Sequence, residues 1–167
     1  MYLKRNGFTL IEISVILFII GLVGVLIFPK LEQRLFDVEY RSALRRLTND
    51  IKQIFNVSAL KGITYYFVFD LDKEVYWVAL PDKEGNISDD ADTHLIHREM
   101  PEGTDIVDIE YGSRIFSEGR NIILFTPTGL EGKYYIHLKR KKDKLTVIIH
   151  PLTGKAEIVK GFKSPVR

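Results

Sequence analysis

The sequence predicts an α+β protein: one long N-terminal helix followed by a β-rich head built as an antiparallel sheet. Three observations predict it. An almost unbroken apolar run covers Phe8 to Phe28. Apolar residues then recur at helical spacing beyond Pro29. From Ile63 onward, short aromatic and β-branched runs alternate with turn residues. One helical pattern followed by a string of strands is the order of an α+β fold rather than of repeated βαβ units. The chain has 167 residues, 46% hydrophobic and 28% charged, which suits one folded domain with an attachment. Cysteine is absent, so disulfides, thiolate metal sites and cysteine nucleophiles are excluded. A formal charge of +2 is too small to imply a nucleic-acid partner by itself.

The first element is the apolar run. As a helix, Phe8 to Phe28 would reach roughly 31 Å, about one hydrocarbon thickness. Its polar side chains are Thr9, Glu12 and Ser14, all near one end. A buried soluble helix would not be apolar on every face over this length. A cleaved secretory signal would want a shorter run and a small-residue site after it, and Phe28-Pro29-Lys30-Leu31 is a poor one. A membrane anchor fits better but leaves Glu12 to be explained. A carboxylate at the centre of a membrane helix costs about 2.5–3.5 kcal/mol, and such residues usually have partners.

Gly7-Phe8-Thr9-Leu10-Ile11-Glu12, with Lys4 and Arg5 just before it, resembles the class III signal of type IV pilins and type II secretion pseudopilins. The resemblance implies a type IV pilin-like fold and cleavage by prepilin peptidase between Gly7 and Phe8. It also implies N-methylation of Phe8 and an assembly role for Glu12, the fifth residue of the mature chain. It places the amino terminus in the cytoplasm and the head in the periplasm, anchored by a single pass of the bacterial inner membrane. The charge on either side of the run does not decide orientation, because Lys30 and Arg34 balance Lys4 and Arg5. The implied role of Glu12 has a physical basis: a carboxylate next to a neighbour's Phe8 amine in a low dielectric is strongly attracted to it, and an unpaired one is penalised.

Beyond Pro29, where a helix interior is prone to kink, Leu31, Leu35, Val38, Leu44, Leu47, Ile51, Ile54 and Ser58 mark one face of an amphipathic helix that ends near Leu60, before Gly62. Arg41, Arg45, Arg46 and Lys52 fall mainly off that stripe and read as a solvated face. The expected organisation is therefore a leader at 1–7, a membrane and assembly helix at 8–29, an amphipathic helix at 30–62 and the head at 63–167.

In the head, Ile63–Asp70 and Glu74–Leu80 read as a hairpin joined through Leu71-Asp72-Lys73. A polar loop follows from Pro81 to Thr93. Further strands are expected at His94–Glu99, Asp105–Tyr111, Asn121–Phe125, Lys133–Lys139, Leu145–His150 and Lys155–Lys160. The closing stretch, with Phe125-x-Pro127-x-Gly129, a hairpin and Thr153-Gly154, resembles the head of the GspH/FimT family of minor pseudopilins and minor pilins.

Other constellations are weaker. His94 and His97 stand three apart, which on a strand puts them on opposite faces and makes joint chelation awkward. His137 and His150 fall in expected strands and read as structural. Asp89, Asp90 and Asp92 form an acidic loop that lacks EF-hand spacing; a solvated loop is the plainer reading, with calcium held through oxygen ligands as the alternative. Gly129 and Gly132 do not make a phosphate loop. No metal, cofactor or catalytic residue is expected, and the chain does not read as an enzyme. Lys139, Arg140, Lys141, Lys142 and Lys144 form the strongest basic run. It reads as a solvated hairpin tip, with electrostatic contact to DNA as the alternative. The resemblances together imply an H-type minor pseudopilin of a type II secretion system, added at or near the pseudopilus tip. Its expected partners are other pseudopilins or pilins, prepilin peptidase and the inner-membrane assembly platform. A FimT-like minor pilin of a type IV pilus, contacting DNA, is the alternative, and a membrane-anchored enzyme is a rival of another class.

Overall fold

The computed structural model describes residues 10–82, 84–87 and 94–165, without the side chains of 24–37. Helix α1 covers Leu10–Lys61 and continues through Pro29. Nine strands follow among the described residues: β1 Tyr65–Asp70, β2 Val75–Ala79, β3 Ile96–Glu99, β4 Thr104–Tyr111, β5 Arg114–Phe116, β6 Arg120–Phe125, β7 Tyr134–Arg140, β8 Asp143–Ile149 and β9 Ala156–Lys160. The architecture is α+β, with the strands antiparallel throughout. The chain divides into two units, Met1–Glu39 and Tyr40–Arg167.

In the larger unit the strands form two sheets. One has the order β3-β2-β1-β6 and the other β5-β4-β7-β8-β9. Strand β6 therefore returns to pair with β1, Asp70 opposite Arg120 and Tyr65 opposite Phe125, far apart in the chain. That long-range pairing, and the short β5, lie beyond what local patterning shows. The two inner faces and the second half of α1 share one core. The helix supplies Tyr40, Leu44, Leu47, Ile51 and Ile54; the four-stranded sheet supplies Phe67, Phe69, Tyr76, Ile123 and Phe125; the five-stranded sheet supplies Ile109, Ile136, Leu138, Val147 and Ile149. The expected stripe on α1 holds from Leu44 to Ser58. It fails at Val38, which is 67% exposed, and Tyr40 and Ala43 are buried instead. Among the described side chains, the first buried one of that face is Tyr40, where the head unit begins. Arg41, Arg45, Arg46 and Lys52 are exposed, as an amphipathic helix requires.

Polar groups close the helix end. Gly62 takes φ +67°, and its N–H bonds the Ser58 carbonyl at 2.9 Å, a glycine stop. The Ser58 hydroxyl, fully buried, lies 2.8 Å from both the Ile63 and the Phe125 carbonyl oxygens and ties α1 to β6. Nearby, the Tyr76 hydroxyl donates to Asp50 at 3.0 Å, and Arg98 approaches the same carboxylate at 3.5 Å. Burial, reinforced by that carboxylate, pushes the Tyr76 phenol far above its ordinary value.

The two glycine motifs of the closing stretch meet beside the helix. Thr126 and Gly129 bond each other's backbone in a tight turn after β6. At Gly129, φ is +114° and a Cβ would come within 2.6 Å of the Pro151 carbonyl oxygen. At Gly154, in the turn between β8 and β9, φ is +60° and a Cβ would lie 2.1 Å from Cγ of Phe55. Both turns need glycine because α1 and the chain at Pro151 occupy the space a side chain would take.

A β-bulge decides which side chains of β4 face out. The register with β7 shifts between Ile106 and Asp108. Ile106 and Ile109, three apart, are thereby both buried, while Asp108 and Glu110 share the outer face. Glu74, at φ +55° before β2, accepts a hydrogen bond from the Ile106 N–H next to the bulge and so joins the two sheets. Burial pushes the Glu74 carboxyl above its ordinary value, more than that hydrogen bond lowers it.

Candidate functional site

Gly7 and Phe8 lie outside the described residues. Glu12 stands in the first turn of α1, where the helix dipole favours a negative side chain. It is exposed, as is every described side chain of this segment, from Leu10 at 90% through Phe18 at 71% to Val23 at 44%. Ser14 turns its hydroxyl back onto the Ile11 carbonyl at 2.8 Å, so it adds little polarity to the surface. The result is a helical rod, apolar on all sides, with one carboxylate near its start. A soluble monomer rarely exposes apolar surface on this scale, which marks an interaction surface. Among the described residues, no helix is long and apolar enough to cross a membrane; the described side chains of the apolar run stop at Val23.

In the head, three sequence expectations change. His94 and His97 do not face opposite ways. Strand β3 begins only at Ile96, so His94 precedes the pleat, and the rings stack at 5.6 Å and 20°. His94 also stacks on Trp77 at 5.1 Å, and the Arg120 guanidinium lies 5.4 Å from the same indole. Second, Arg140 is not part of a solvated basic tip. It is 6% exposed, its guanidinium 5.0 Å from the centre of the Tyr40 ring. The tip is only Lys141 and Lys142, between the paired Arg140 and Asp143, with Lys141 at φ +54°. Lys144 leans over Phe162 at 5.0 Å. Arg140 is thus withdrawn from the basic run, while Lys139, Lys141, Lys142 and Lys144 stay exposed. Third, Ile149 ends β8, so His150 lies just beyond the strand, 3.6 Å from Glu157. Asp89, Asp90 and Asp92 lie outside the described residues.

A constellation that sequence reading missed sits on the outer face of the five-stranded sheet. His137 is buried on β7, directly opposite Asp108 on β4. Its Nδ1 is 2.6 Å from Asp108 Oδ1 and its Nε2 is 3.0 Å from the Lys163 carbonyl. Glu110, two residues along β4, receives the Ser164 hydroxyl at 3.2 Å. The tail after β9 crosses this face. Its Gly161 carbonyl and Lys163 N–H both bond the Thr146 hydroxyl, at 2.8 and 2.9 Å, and Phe162 packs 4.7 Å from the His137 ring. At the sheet's end, a shallow groove of about 730 Å³ is lined by Tyr111, Arg114, Glu131, Lys133, Tyr135 and Pro165. No spacing rule flags the triad, because it needs both the β4–β7 register and the bulge.

No protein-family model and no curated protein matches the sequence. Among solved structures, the chain is similar to the minor pseudopilin EpsH from the type 2 secretion system of Vibrio cholerae. The TM-score is 0.53 at 12% identity, over 73% of this chain and 97% of that one. The chain has a pseudopilin-like fold. In this pseudopilin-like frame a long helix precedes a head of antiparallel sheets, and the chain spans nearly the whole length of the solved pseudopilin. The turns at Gly129 and Gly154 lie close against Pro151 and Phe55 in this frame.

Proposed function

We propose that this chain is a minor pseudopilin, H-type, of a type II protein secretion system. The observation that carries the proposal is the pseudopilin-like fold together with an all-apolar, exposed helix that bears Glu12 in its first turn. Prepilin peptidase cuts between Gly7 and Phe8, Phe8 is N-methylated, and the apolar helix holds the chain in the inner membrane with its head in the periplasm. The protein then works by assembly rather than by catalysis. Its helix joins those of other pseudopilins at or near the pseudopilus tip, with the Glu12 carboxylate beside a neighbour's Phe8 amine. In the filament, the neighbouring helices take the place of lipid around the apolar surface.

The test combines processing and docking. Mass spectrometry of the membrane-extracted chain should show loss of Met1–Gly7 and one added methyl group; an intact leader in cells with active prepilin peptidase would overturn the reading. Glu12→Val should abolish cross-linking to partner subunits and secretion at equal protein level. It should leave the head's unfolding unchanged, because the core cluster is drawn from Tyr40 onward. A Glu12→Val chain that cross-links and secretes like the wild type refutes charge pairing. Deleting the gene and assaying both exoprotein release and pilus-dependent motility or transformation separates the secretion reading from the minor-pilin one.

A further inference from the structure

We propose that Asp108, Glu110 and His137 form a binding site for one divalent cation of the zinc class on the outer face of the five-stranded sheet, closed over by the C-terminal tail. The ligand atoms of these three side chains lie within 4.8 Å of one another. The argument starts at the imidazole. The Lys163 carbonyl can only accept, so His137 Nε2 carries the hydrogen of that bond. A metal-ligating histidine usually has its other nitrogen fixed in this way by a carbonyl or carboxylate. The tautomer so set leaves the Nδ1 lone pair aimed at the Asp108 carboxylate, 2.6 Å away. Two lone pairs at that distance repel unless a cation, a proton or a metal ion, neutralises them.

A proton would satisfy the His137–Asp108 pair alone. It would leave Glu110 as a second carboxylate over a single imidazolium, a net negative charge beside a buried ring. A divalent cation with a neutral imidazole balances both carboxylates. One nitrogen and two carboxylate oxygens, with the Ser164 hydroxyl beside Glu110 as a fourth donor, suit a four-coordinate ion at about 2.0–2.2 Å once Asp108 draws back from hydrogen-bond distance to admit it. Calcium, which takes about 6–8 oxygen ligands, suits it poorly. Glu110 is only partly buried, so its side chain has the freedom to draw in toward the ion. Because Lys163 bonds His137 and Ser164 bonds Glu110, the same ion would fasten the tail across β7 and β4.

The test uses the full chain in detergent, stripped with chelator and titrated with zinc chloride alone. One ion per chain should bind, and trypsin cleavage after Lys163 should slow as the site fills. Glu110→Gln, which removes one charge at a partly exposed position, should weaken uptake at least about tenfold and abolish the protection of the tail. His137→Gln should do the same where it folds, and His94→Ala should leave binding unchanged. Failure of the wild type to take up zinc overturns the proposal. So does uptake that survives Glu110→Gln undiminished, or uptake that is lost in His94→Ala.

Discussion

Replacing Gly154 with alanine should be among the most damaging single-methyl changes in the head. The new Cβ would sit 2.1 Å from Cγ, 2.5 Å from Cβ and 2.6 Å from Cδ1 of Phe55. Ordinary carbon contacts lie near 3.5–4.0 Å. The overlap therefore exceeds an ångström, and it falls on the root of the Phe55 side chain, where no rotamer change clears it. The turn or the helix must shift instead. Overpacking of this kind costs about 1–3 kcal/mol, and a non-glycine residue at φ +60° adds roughly 1–2 kcal/mol. The total, about 2–5 kcal/mol, is a large part of the 5–15 kcal/mol typical of a whole domain. The assay is denaturant unfolding of the full chain in detergent, followed by fluorescence of Trp77, the single tryptophan, which is buried. Phe55→Ala should be destabilising by itself, and Gly154→Ala should cost less in that background, because the contacts with Cγ and Cδ1 are gone while the 2.5 Å contact with the Cβ stays. A Gly154→Ala chain within about 0.5 kcal/mol of the wild type, the range of ordinary surface substitutions, would refute the close-packing argument. Equal costs in both backgrounds would leave the loss to backbone strain and the contact with the residue-55 Cβ.

Ser58→Ala should destabilise the head by about 1–3 kcal/mol, since the one hydroxyl hydrogen shared between the buried Phe125 carbonyl and the Ile63 carbonyl is lost, as read by the same unfolding midpoint. Glu74→Gln keeps an oxygen for the Ile106 N–H but removes a carboxyl whose folded value is raised by burial. A raised carboxyl contributes stability that is full below its unfolded value, about 4.3, and is lost as pH rises through the folded value. The variant should therefore gain on the wild type as pH rises from the unfolded value through the folded one, and a pH-independent difference would refute the assignment.

The α+β class, the reach of the helix to the Gly62 stop and the positions of most strands were legible in the sequence because each is a local pattern. Leu44, Leu47, Ile51 and Ile54 repeat at 3.6-residue spacing whatever they pack on, and the aromatic runs at Tyr65–Asp70 and Val75–Ala79 carry their own signal. The residues proposed for processing and assembly, Gly7, Phe8 and Glu12, fall within six adjacent residues, so the sequence alone proposes them. Tertiary structure decided what depends on residues far apart in the chain. Pairing of β6 with β1 split the expected sheet into two. Tyr40 drew Arg140 into the core from a run that, by composition, belonged in water. One extra residue between Ile106 and Asp108 turned Asp108 and Glu110 outward to meet His137 from another strand, 29 positions beyond Asp108. A side chain's solvent exposure and its charge partners are set by whatever long-range pairing places opposite it, and neither periodicity nor composition encodes that register.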